Sequence, residues 1–263
     1  MRFILRMLAA SLALFLLEAA RQPSWGEAAS ALLVCSVLCW IAVRSRASGA
    51  ELVATLAGFY FVLISLATIP EGVLFDVIKV GEAPLMMVRQ LGIALITAIT
   101  ITALFLRSKA TPPAMSAPGA DLTILGLLWR LVAAVAVFTF CYLAAGMIIY
   151  PLVKVYYQGR NMPELGTITA AVVLKAATLL VGGWLVLRSI PSRKSAIAIL
   201  ATAYPVIGVL SLMLHHNEFM PPAIRWVHTM EMVPYYTLFG FLLAIWFGPP
   251  RIIARPPGAS LSA

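Results

Sequence analysis

HHNEFMPPAIRWVHTMEMVPYYTLFGFLLAIWF, residues 215–247, gathers all three histidines of the chain and carries Glu231 into an otherwise apolar run. As a helix, the part from Val227 to Phe247 is about 31 Å long, enough to cross the hydrocarbon core of a bilayer. At 100° per residue, His228, Glu231 and Tyr235 fall within about 60° of one another. Such a stripe faces protein rather than lipid, because an ionisable group in hydrocarbon is costly. Pro234 denies a hydrogen bond to the carbonyl of Met230 and leaves a bare acceptor beside the stripe.

The rest of the chain is as oily. Of 263 residues, 62% are hydrophobic and 11% charged, and the mean hydropathy is +0.98, outside the range of soluble domains. No polar stretch is long enough to fold separately, so residues 1–263 read as a single transmembrane domain. The expected fold class is all-α, a polytopic helix bundle of about eight spans: Phe3 to Ala20, Ala28 to Val43, Leu52 to Ile69, Leu85 to Leu106, Leu122 to Tyr150, Ile168 to Leu187, Ala196 to Leu214 and Val227 to Phe247.

Charge orients the bundle. Arg2 and Arg6, Arg44 and Arg46, Arg107 and Lys109, Arg188, Arg193 and Lys194, and Arg251 and Arg255 all fall on one side of an eight-span chain. Only Glu51 and Asp121 oppose them there, so that side carries the whole net charge of +9. The positive-inside rule makes it cytoplasmic, with both termini inside a bacterial-type inner membrane. The same placement accounts for a pI near 9.8. The basic residues come in twos and threes without interleaved aromatics, so nucleic acid is excluded as a partner. The bilayer, with its anionic headgroups, is the expected partner, and further membrane proteins are possible ones.

Residues 107–121, RSKATPPAMSAPGAD, form a Pro- and Ser-rich cytoplasmic linker between two four-span halves, and no internal repeat is apparent across it. Cys35, Cys39 and Cys141 lie in apolar runs without paired-cysteine spacing and read as packing residues.

Chemistry is expected in the outward-facing half. Lys175 in span six and Glu231 in span eight lie at similar depths, about 10 to 12 Å from the outer end, and form the expected pair, with His228 beside them. Glu71, closing span three, and Tyr235 complete the candidate substrate- or ion-binding set. Arg130, deep in span five, is expected to snorkel to the inner surface. His215, His216, Glu218 and His228 are the candidate metal ligands, zinc being the alternative to no cofactor, though no HExxH stands among them.

No motif names a substrate. The leading reading is a carrier or permease for a small solute, ion or lipid-related substrate with an outward-facing polar pocket. The alternatives are an intramembrane metal-dependent hydrolase or transferase, and a noncatalytic subunit of a larger assembly.

Overall fold

The computed structural model describes residues 1–18, 24–105, 123–158, 162–215 and 220–249. All regular structure among them is helical: α1 (Arg2–Glu18), α2 (Trp25–Arg44), α3 (Gly49–Phe61), α4 (Ile69–Leu74), α5 (Ala83–Phe105), α6 (Ile124–Tyr157), α7 (Leu165–Leu187), α8 (Arg193–Pro205), α9 (Ser211–Leu214) and α10 (Pro222–Phe247). With the turns that continue α3 into α4 and α8 into α9, seven described helices have the length and hydropathy to cross a membrane. The chain is an all-α, polytopic membrane helix bundle. Beside these seven, α1 has 17 described residues and lies along α2 and α5. The proposed linker at 107–121 lies outside the described residues, apart from the helices that flank it.

Local chemistry sets the helix ends. Ser24 and Glu27 form a reciprocal capping box, Ser24 N donating to Glu27 Oε2 at 2.7 Å and Glu27 N to Ser24 Oγ at 3.3 Å. The apolar run therefore enters helix at Trp25, three residues before the expected start. Two spans are interrupted by π turns, Val62–Leu66 after α3 and Val206–Leu210 after α8. In the first, Ala67 N reaches back five residues to Val62 O at 2.9 Å. The Thr68 hydroxyl then takes the Ile64 carbonyl, and Pro70 sits in the first turn of α4, where a missing N–H costs nothing. The chain is thus re-aimed just before Glu71.

The fifth span differs from expectation. Its helix does not stop at Tyr150 but runs through Pro151 to Tyr157, 34 residues or about 50 Å. Proline removes one hydrogen bond from the ladder, and a membrane helix tolerates that loss.

Neighbouring helices approach through small residues, as packing without a hydrophobic driving force requires. The most extensive contact joins α8 and α10, where a Cβ on Gly240 would lie 2.3 Å from the Leu200 carbonyl oxygen. Tyr204, Tyr236, Phe239 and Phe138 interlock beside this seam, with Tyr204 edge-on to Phe239 at 5.5 Å and Phe138 against Phe239 at 4.9 Å. Some hydroxyls within spans bond the preceding turn, as Ser11 does to Met7 O and Ser211 to Ile207 O, whereas those of Ser65, Thr97, Thr102 and Thr139 are buried without a partner among the described residues. Cys35 and Cys39 are buried free thiols and Cys141 a half-buried one.

Candidate functional site

Lys175, on the inner face of α7, is 5% exposed. Its ammonium pairs with Glu71 Oε2, not with Glu231. The expected Lys175–Glu231 pair is therefore corrected: depth along the helices put Glu231 level with Lys175, but α4 brings Glu71 into the position facing α7. The other oxygen of Glu71 accepts a hydrogen bond from Tyr142 Oη on α6 at 2.5 Å. The ammonium also stands 5.6 Å from the Tyr142 ring centre and 5.8 Å from that of Tyr236, both within cation–π range. Three spans and a short helix thus converge on one buried charge.

Glu231 has a different partner. Its Oε2 lies 2.9 Å from His228 Nδ1, one turn earlier on α10, and its side chain is 6% exposed. Gly146 on α6 faces it, and a Cβ there would stand in ordinary van der Waals contact, 3.8 Å from Glu231 Oε1. Tyr142 lies one turn from Gly146 on the same helix, so a single face of α6 links the two acid groups. Tyr235 packs against Tyr142 at 5.9 Å and Phe138 at 5.5 Å, and its buried hydroxyl has no hydrogen-bond partner among the described residues.

The expected outward-facing pocket is small. A cavity of about 10 Å³, lined by Glu71, Phe75, Tyr142, Ile168, Val172 and Lys175, has room for about one water. Any larger ligand must displace side chains.

The candidate metal ligands do not assemble among the described residues, where no group of three or more His, Cys, Asp or Glu is poised to hold an ion. His216 and Glu218 lie outside the described residues. His215 Nε2 is 3.0 Å from Ser30 Oγ on α2, and His228 is engaged with Glu231, so the two histidines serve separate contacts.

Arg130 reaches toward the end of the bundle that the charge pattern makes cytoplasmic, and it has a partner there. It donates to the Trp246 carbonyl at 2.5 Å, and Arg193 donates to the neighbouring Ile245 carbonyl. Both cap the C-terminal end of α10, where carbonyls lack helical partners and cations are favoured. Tyr142 and Tyr236 were missed by the sequence reading. The available signal was depth: they are hydroxyl-bearing residues on spans five and eight that reach the level of Lys175.

His215 supplies a pH-dependent element outside the spans. Burial holds its imidazole below the ordinary value of 6.5, opposed by the nearby Glu27 carboxylate, while Arg225 donates to its carbonyl at 2.7 Å. The unfolded chain therefore binds the more protons in this range, and the contribution to stability is complete above about 6.5 and is lost as the pH falls below it. The melting temperature is expected to drop between pH 7.5 and pH 5, and the drop to shrink in His215→Gln. An unchanged drop would assign the acid sensitivity to other groups.

Comparison with protein-family models, with curated proteins and with solved structures returns no match, so the chemistry of the site rests on this chain's own residues.

Proposed function

We propose that the protein is an eight-span carrier of the inner membrane, both termini cytoplasmic, held here in a closed state, and that it moves a small anionic solute together with a proton. The observation that supports this most is the buried bridge between Lys175 and Glu71. Ionisable groups within spans are rare, and they mark transport paths and proton relays more often than other positions do. The bridge also offers an exchange that conserves charge. An anionic group takes the place of Glu71 on the Lys175 ammonium, while Glu71 takes up a proton and keeps Tyr142 as its hydrogen-bond partner. The cluster has the same net charge before and after, which avoids an uncompensated charge in a low-dielectric interior. His228 and Glu231 form the adjoining hydrogen-bonded pair, and Tyr235 presents a hydroxyl without a partner among the described residues.

Liposomes loaded with a pH-sensitive dye test the reading. Lactate, succinate, citrate and phosphate are added outside in turn, and internal acidification is followed. At least one anion is expected to drive acidification well above protein-free liposomes, and Lys175→Met to lower that rate by about tenfold or more, the loss expected for a charge-assisted contact. Absence of any flux with folded wild-type protein would favour the noncatalytic reading, which the small cavity also supports.

A further inference from the structure

Laid with residue 49 on residue 193, two stretches of the chain read alike. Residues 40–48, WIAVRSRAS, fall on residues 184–192, WLVLRSIPS, and share Trp, Arg and two Ser. Beyond them Leu56, Tyr60, Val62 and Leu66 fall on Leu200, Tyr204, Val206 and Leu210. The structure keeps the same register. Gly49–Phe61 and Arg193–Pro205 are each 13 residues of α-helix, and each passes directly into a five-residue π turn. The bonds that widen the turns correspond, Ala67 N to Val62 O and Ser211 N to Val206 O. A short helix, α4 or α9, follows each. Neighbours correspond as well: α1 lies on α2 and α5 as α6 lies on α7 and α10, α3 pairs with α5 as α8 pairs with α10, and α3 meets α7 as α8 meets α2. Because π turns are rare, hydrophobic composition alone does not place two at one register.

We infer that the chain is an internal duplication of a four-helix unit, its copies running in the same direction about a pseudo-twofold axis, and that Ser30–His215 is the second copy of the Glu71–Lys175 bridge. This corrects the expectation that no repeat crosses the chain. In the register above, residue 215 stands where 71 stands, and Ser30 is next to the counterpart of Lys175. One bridge joins α4 to α7; the other joins the residue after α9 to α2. Each ties one copy to the other, and both lie at the same end of the bundle. Between them the two π turns meet, with Leu63 Cδ2 3.7 Å from where a Cβ on Gly208 would stand. At the opposite end the copies are joined by Arg188 on Glu51 at 3.1 Å and by Arg46 N on Ser189 O at 2.7 Å. The two bridges are paired latches. Releasing both lets the copies part at the Glu71 and His215 end while the other end stays joined. This holds whether or not the protein carries a solute, since it concerns how the copies move.

Hydrogen exchange of the full chain in lipid nanodiscs tests the pairing, comparing wild type, Ser30→Ala, Lys175→Met and the double variant. Either single variant leaves one latch closed, so exchange at residues 62–66 and 206–210 is expected to rise by less than about twofold, and by about tenfold or more in the double variant. Exchange at residues 45–48 and 188–192 is expected to stay at the wild-type rate in all four. A double variant whose effect is the product of the singles, or an equal rise at both ends, overturns the proposal. If the double variant does not accumulate as folded protein, Lys175→Gln with His215→Phe opens the same two bridges and is judged by the same criteria. Because no solute is involved, a negative result here is distinguishable from a negative result in the flux assay.

Discussion

Glu71→Gln is expected to destabilise the protein by about 3–5 kcal/mol, the cost of breaking a buried ion pair from one side. The substitution keeps the size of the side chain and an acceptor for Tyr142, but leaves the Lys175 ammonium without a counter-charge at 5% exposure. Lys175→Met removes the other partner and should cost less. Glu71 is a quarter exposed and keeps Tyr142 as a donor. The double variant Glu71→Gln with Lys175→Met should therefore recover most of the loss of Glu71→Gln alone. Unfolding of the purified protein in mixed detergent and denaturant reads all three. Additive costs would show that the pair is not energetically coupled, whatever its geometry. Glu231→Gln on the same Lys175→Met background provides a contrast, because Glu231 bonds His228 and should show little coupling to Lys175.

Gly240→Val carries the second large expected effect. A side chain at this position meets the Leu200 carbonyl carbon at 2.6 Å and its oxygen at 2.3 Å. These are backbone atoms of α8, so relief requires moving the whole helix. Overpacking of this kind costs about 1–3 kcal/mol, and more when backbone must shift. Because Tyr204 packs beside the same contact and Tyr236 borders the buried site, separation of α8 from α10 should also disturb Lys175. Gly92→Ala in α5 is the control. Nothing lies within 4 Å of a Cβ there, and alanine should instead stabilise the helix by about 0.5–1 kcal/mol. Melting temperatures that moved alike in the two variants would show that the α8–α10 approach is not limiting.

How much of this was legible in advance depended on the range of the interaction. Helix positions along the chain followed from apolar runs and from signals such as Ser24 with Glu27, because membrane helices satisfy their backbone internally. The inward-facing side of α10 followed from the spacing of His228, Glu231 and Tyr235, which is a property of one helix. The approach of Gly240 to the Leu200 carbonyl depends on how α8 and α10 cross, which no single segment specifies. The partner of Lys175 was not legible. Matching depths selected Glu231, whereas the π turn at Val62–Leu66 and the restart at Pro70 carry Glu71 across to α7, and a five-residue widening leaves no mark in hydropathy. The repeat was hidden for a related reason. Composition within spans is so uniform that similarity rests on a few positions, and only the matched π turns singled out the correct register.

By itself, the sequence determined that this chain is a helical membrane protein, where its helices lie and which of its ionisable groups are too deep to be solvated. Those are consequences of transfer from water to hydrocarbon and of backbone hydrogen bonding within single segments. The tertiary structure alone decided which charge meets which, that the site has room for about one water, and that two halves of the chain face each other across a pair of matching turns. These depend on where separate helices cross, and crossing is set by small residues and by breaks in helical register rather than by hydropathy.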